Sequence, residues 1–166
     1  MKSRISVVIL AVFFALACGA VAQAKTWEFL KAKVEITYPD TWTHEVNKQE
    51  VDVIGSPDGN AAVIIRVVTA KNFEKALDET INGLAEEFGA IEDKEPKTEE
   101  LKINGMDAMF MDEIRTVDKK TEIGLALIVT PAAQVVTITA IGTPEAAKLY
   151  EKDFGNLIMS VKPTGK

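Results

Sequence analysis

Only one cysteine, Cys18, and one histidine, His44, occur in the 166 residues. A chain with a single cysteine closes no internal disulfide, so its stability has to come from packing. A lone imidazole does not make a metal centre: zinc commonly takes three or four protein ligands, and a hydrolytic triad needs a nucleophile and an orienting acid that nothing places near His44. The sequence also lacks a glycine-rich phosphate loop, a nucleophile elbow and a nicotinamide fingerprint. No cofactor is therefore expected. Basic residues are in deficit, 19 against 25 acidic, for a formal net charge of −6. That balance opposes nucleic acids and anionic membrane surfaces as partners.

What is present begins at the N-terminus. Lys2 and Arg4 precede an uncharged apolar run over 5–17, too short to span a bilayer comfortably, and then the small-x-small triplets Ala20-Val21-Ala22 and Ala22-Gln23-Ala24. This pattern predicts a signal peptide over 1–24, cut after Ala24, and a periplasmic or secreted protein. Two alternatives stand beside it. The first keeps 5–24 as a membrane anchor; the second lipidates Cys18 within Ala15-Leu16-Ala17-Cys18, which has the look of a lipoprotein box and would tether the protein to a membrane. Removing 24 residues leaves 142, a usual size for one domain, with no membrane span. The signal holds two of the basic residues and none of the acids, so the charge of the domain moves to −8. Without Cys18 the domain has no thiol chemistry and no cysteine-ligated metal.

From residue 25 onward, apolar and polar residues alternate with the period of half-buried strands over 27–29 and 34–38. Strands are predicted at 51–54 and 61–69, joined as a hairpin through Ser56-Pro57-Asp58-Gly59-Asn60. Over 72–88, Phe73, Leu77, Ile81, Leu84 and Phe88 fall on one helical face, and Gly89 ends the helix. The charged stretch 92–100 reads as a solvated connection or an edge strand. Strands follow at 99–103 and 106–117 across an Asn104-Gly105 turn, and at 121–130 and 135–141. Thr143-Pro144-Glu145 opens a helix to about residue 160, with Ala147, Tyr150, Phe154, Leu157 and Val161 on its buried side. The order of elements predicts an α+β fold: a mainly antiparallel sheet covered on both faces by two helices in an α/β/α sandwich.

Ile36-Thr37-Tyr38-Pro39-Asp40-Thr41-Trp42 near the start and Leu157-Ile158-Met159-Ser160-Val161-Lys162-Pro163 at the end resemble the PsbP-like and DcrB-like envelope proteins. The resemblance spans 25–163 and is one of fold. It implies an α/β/α sandwich whose members bind or scaffold and are not known as enzymes. Because one fold hosts several functions, no partner and no functional residue carries over.

Candidate sites are few. Trp42 is either a ligand-stacking aromatic behind a turn or a core residue, and core packing is the commoner fate of an indole. His44 is either one member of a site or a partly exposed strand residue. Met106, Met109 and Met111 with His44 offer soft donors for cuprous copper, but strand alternation sends Met106 to one face and Met109 and Met111 to the other. The acids Glu86, Glu87, Glu92, Asp93, Glu95, Glu99 and Glu100 lack the alternating oxygen ligands and glycine of a calcium loop and read as a solvated surface. Binding residues concentrate on loops held by a rigid scaffold, which singles out Trp42, His44, Asp58 and Asn60 as partner-binding positions. The expectation is a monomeric, non-catalytic binding or accessory module of the cell envelope with an unknown protein or small-molecule partner. The alternative is a periplasmic small-ligand-binding protein or hydrolase whose site is not visible in sequence. Protein purified from the envelope should give an intact mass starting at Lys25; a diacylated product starting at Cys18 would establish the lipoprotein instead.

Overall fold

The computed structural model describes residues 23–47, 51–68, 72–89, 91, 97–116 and 120–165. The apolar run and Cys18 of the predicted signal lie outside them, as do Glu92, Asp93 and Glu95 of the acidic stretch. Ten strands and three helices are found among the described residues: β1 (Ala24–Phe29), β2 (Val34–Pro39), β3 (Thr43–Val46), β4 (Asp52–Gly55), β5 (Ala61–Val68), α1 (Phe73–Phe88), β6 (Lys97–Ile103), β7 (Met106–Arg115), β8 (Glu122–Val129), β9 (Val135–Gly142), α2 (Pro144–Leu149), α3 (Glu151–Met159) and β10 (Lys162–Pro163). Among the described residues, no helix is long and apolar enough to cross a membrane.

The main sheet has seven strands in the order β3-β4-β5-β9-β8-β7-β6, and every pairing is antiparallel. Its central strands are apolar at both parities, so each face needs a cover. On one side Val63, Ile65, Ala126, Ile128, Val136 and Ile138 pack with Phe154, Leu157 and Ile158 of α3. On the other side Ile123, Leu125, Leu127 and Val135 pack with Ala76 and Leu84 of α1, flanked by half-buried Phe73, Leu77, Ile81 and Phe88. This is the expected sandwich, with helices on both faces of a large antiparallel sheet. Full burial of a Leu or Ile side chain contributes about 1.5–3 kcal/mol, so the doubly covered strands β8 and β9 carry a large share of the core.

Local chemistry explains the element ends. Asn72 caps α1 by accepting from the Lys75 N–H at 3.0 Å, and Thr143 caps α2 by accepting from the Ala146 N–H at 3.2 Å, with Pro144 in the first turn. Thr80 faces the sheet from α1 and satisfies its buried hydroxyl on the Ala76 carbonyl at 2.6 Å. In β7 the pairing with β8 slips by one residue between Met111 and Ile114, a bulge that turns both side chains into the same core.

Three features depart from the expected layout. A second, three-stranded sheet, β1-β2-β10, stands beside the main one and uses the C-terminal residues Lys162 and Pro163 as a strand against Glu35 and Val34. β3, foreseen only as an unbounded strand carrying His44, forms one edge of the main sheet. The last helix is broken in two at Tyr150, whose backbone (φ −101°, ψ 9°) leaves helical geometry. The break rotates the buried stripe: Ala146, Phe154, Leu157 and Ile158 are buried, while Ala147 and Tyr150 are only partly so.

The Asn104-Gly105 turn does more than join β6 to β7. Both residues have positive φ, 48° and 86°, as this hairpin turn requires. The Asn104 side-chain amide donates to the carbonyls of Val161 at 2.7 Å and Met159 at 3.1 Å. These lie at the C-terminal end of α3, where carbonyls have no intrahelical partner. Asn104→Gly keeps the turn and removes both bonds. It should cost about 1–2 kcal/mol, which at this size lowers Tm by roughly 2–8 °C; an unchanged melting curve would show that the bonds contribute nothing.

Candidate functional site

The four sequence-selected positions fall in two places. His44 lies on β3 and pairs across the hairpin with Ile54, while Val46 pairs with Asp52, so His44 and Asp52 are diagonal neighbours on one face. His44 Nε2 sits 2.7 Å from Asp52 Oδ1, and the two side chains are only 10% and 12% exposed. Trp27 of β1 lies against the imidazole with ring centroids 4.5 Å apart, and Tyr38 of β2 with centroids 5.9 Å apart. Burial pushes the Tyr38 phenol above its usual range. The cluster thus takes one side chain from each of four strands and joins the small sheet to the edge of the large one. Chemically it holds a carboxylate-oriented imidazole. No group of three or more metal-ligating His, Cys, Asp or Glu side chains occurs among the described residues, and the three methionines lie on opposite faces of β7, as alternation predicts.

Trp42 and Asp58 meet at Tyr150, and Asn60 is bonded to Asp58. Trp42 is 2% exposed and packs edge-on against Tyr150 and Phe154, with centroid separations of 5.2 and 5.7 Å. It is a core residue and presents no surface to a partner. Asp58 is the acceptor at the centre of the exposed turn between β4 and β5. Ser56 Oγ donates to it at 2.6 Å, the Asn60 N–H at 3.1 Å and the Asn60 side-chain amide at 3.2 Å. Ser56 Oγ in turn accepts from the Ala61 N–H at 3.0 Å. The Ser56 hydroxyl first, then the Asn60 backbone, lower the Asp58 carboxyl from its ordinary 3.8 to about 2, with a smaller contribution from the Tyr150 hydroxyl. Loss of solvent, followed by the Asp58 carboxylate, pushes the Tyr150 phenol up. The bonds of Asp58 are spent on shaping the turn.

A third place was not visible in the sequence. Between α2–α3 and the face of β7, β8 and β9 runs an open groove of about 520 Å³. Phe110, Phe154 and Ile158 form its apolar walls, and Gly124 and Ala140 its floor. Gly155 of α3 opens it further, because a Cβ there would meet nothing within 4 Å. Glu122, Lys148 and Glu151 stand at the charged margin. The size is that of a small-molecule pocket, and the lining is mainly apolar with few polar groups. Two of its determinants are glycines, and a missing side chain leaves no periodic signal. Only the three-residue spacing of Lys148, Glu151 and Phe154 hints at a shared helix face.

Scans against protein-family models and against curated proteins return no match. Among solved structures, the fold is shared with cyanobacterial PsbP (CyanoP) from Synechocystis sp. PCC 6803, at 13% identity and a TM-score of 0.62, covering 88% of this chain and 95% of that one. It is shared as well with PA94, a Pseudomonas aeruginosa protein of unknown function, at 14% identity and a TM-score of 0.52, covering 87% and 99%. The chain therefore has the PsbP-like sandwich, and the likeness is one of fold.

The acid stability of the turn follows from Asp58. A carboxyl whose folded pKa is depressed contributes stability above its unfolded value and loses it as pH falls toward the folded one. The difference in Tm between wild type and Asp58→Asn should be constant above about pH 5 and should close as pH falls from 3.8 to about 2. A difference that persists unchanged at pH 2 would mean that the charge is not what the turn uses.

Proposed function

We propose that the protein is an exported, non-catalytic binding or accessory module of the cell envelope, and that it binds through the groove between α2–α3 and β7–β9. The single observation that carries the reading is that groove: about 520 Å³, with aromatic walls and a floor kept open by Gly124 and Ala140. It has the dimensions of a ligand pocket but lacks a convergent set of acid, base and nucleophile. The charge, length and small-residue pattern of residues 1–24 support export. The shared sandwich supports a role by contact, since the resemblance implies relatives that bind or scaffold.

The His44–Asp52 pair does not favour catalysis. Its imidazole is held between Trp27, Tyr38 and a carboxylate, and the groove lining does not include it. The paired positions act as a joint between sheets.

Binding is read with the neutral fluorophore N-phenyl-1-naphthylamine. Its emission should rise with wild type and should not rise with Gly155→Leu, which fills the groove from an α3 position with free space around it. In parallel, general esterase, phosphatase, peptidase and glycosidase substrates should show no turnover. Reproducible turnover abolished by a single Asp, Glu, Ser or His44 substitution would overturn the non-catalytic reading, and equal emission from both variants would overturn the groove.

A further inference from the structure

We infer that the groove selects uncharged aromatic molecules and turns away ions of both signs. This rests on the groove being the binding site and adds the chemical class of what it takes.

The charges at the margin balance. Lys148 and Glu151 stand three residues apart, on either side of the break at Tyr150, and both are exposed. Glu122 stands opposite Arg115 in the β7–β8 pairing and is already engaged in the structure. A cation brought to this mouth therefore meets Lys148 as well as Glu151, and an anion meets the same two in reverse. Neither sign gains an attraction that would offset its loss of water. Inside the slot nothing compensates either, because Phe110, Gly124, Ala140, Phe154, Gly155 and Ile158 carry no side-chain donor or acceptor. An ion taken from water into such a place without a partner loses hydration that nothing replaces, whereas an uncharged molecule keeps most of the gain from burying its apolar surface.

The walls and floor favour a ring. Phe154 is buried and held edge-on against Trp42 at 5.7 Å, while Phe110 is only half-buried and keeps part of its ring open to the groove. Aromatic rings in offset or edge-on contact gain more than their buried area alone supplies. The floor has a cause in the strand ladder. Gly124 lies directly opposite Ala140 on one side, and on the other the bulge sets it against Asp112 and Glu113 together. Over this cross-strand pair the sheet offers only one methyl group, so a flat body can lie close to the backbone. Charge is therefore screened out at the margin and in the slot, and the two phenylalanines select for ring character.

Four probes of similar body separate charge from ring character: 1-naphthylmethanol, 1-naphthylmethylamine, 1-naphthoate and the saturated decahydro-1-naphthylmethanol. Their Kd values are measured by calorimetry on the intact mature chain at neutral pH, with backbone amide shifts of Gly124 and Gly155 reporting the site. The naphthyl alcohol should bind at least about tenfold tighter than either ion, equivalent to about 1.4 kcal/mol. Its saturated counterpart should bind about fivefold more weakly. Gly155→Leu should abolish binding of the alcohol. So, independently, should Gly124→Val, whose added Cβ would stand an ordinary 4.0 Å from that of Ala140. An ion that binds as tightly as the alcohol, with binding still lost in the variants, would overturn the uncharged class and leave the groove standing. A saturated alcohol that binds equally would overturn the aromatic class in the same way. Amide shifts that avoid Gly124 and Gly155, or no binding by any probe, would overturn both the inference and the groove.

Discussion

Burial of β8 and β9 on both faces is the constraint from which the rest of the molecule follows. Leu125, Leu127, Ile128 and Ile138 are fully buried although successive residues point to opposite sides of the sheet. Strands of that kind cannot stand against water on either side, so the chain must supply two separate covers. α1 gives one, and α2 with α3 give the other. Even the polar exceptions obey the constraint, since Thr137 and Thr139 of β9 are buried and threonine suits a packed strand by its branched shape. The bulge in β7 serves the same end by sending Met111 and Ile114 into one core.

The second cover is anchored at several points. Ser160, at the end of α3, accepts from the Thr37 N–H at 2.8 Å, and Lys162 pairs with Glu35 at 2.9 Å as β10 lies along β2. Asn104 holds the same helix end from the turn between β6 and β7. The segments 36–42 and 157–163, which carry the resemblance to PsbP-like proteins, are thus spatial neighbours. They form one joint, which fixes geometry without dictating a ligand.

Elements whose cause is local were legible in the sequence. The caps at Thr143, the turn chemistry of Ser56 to Asn60, the Asn104-Gly105 turn and the alternation of Met106, Met109 and Met111 all depend on residues close in the chain, and each takes its expected place. What escaped depends on distance. β10 is two residues long and exists only because β2 is beside it. The helix break at Tyr150 sits against Asp58 and Trp42, about 90 and 110 residues earlier, and helical periodicity runs straight through it. His44 was singled out, but its partner Asp52 was not, because the pair is made by a hairpin diagonal rather than by spacing. Trp42 reads more readily as a core than as a surface aromatic, and Tyr150 and Phe154 supply the packing that the sequence alone does not identify. The groove is the extreme case, defined at Gly124 and Gly155 by what is missing.

The strand order also sets a sequence of events. β9 lies between β5 and β8, yet it is made after both. Until residues 135–142 join, the main sheet can exist only as two halves, β3-β4-β5 and β6-β7-β8, each ending in an unpaired strand that is largely apolar on both faces. Such open edges invite pairing with other chains, and closing them requires joining segments far apart in sequence, which is slow. A chain interrupted before Val135 is therefore not a smaller version of this protein but a pair of adhesive fragments, and its safe keeping falls to whatever holds the unfolded chain until the central strand arrives.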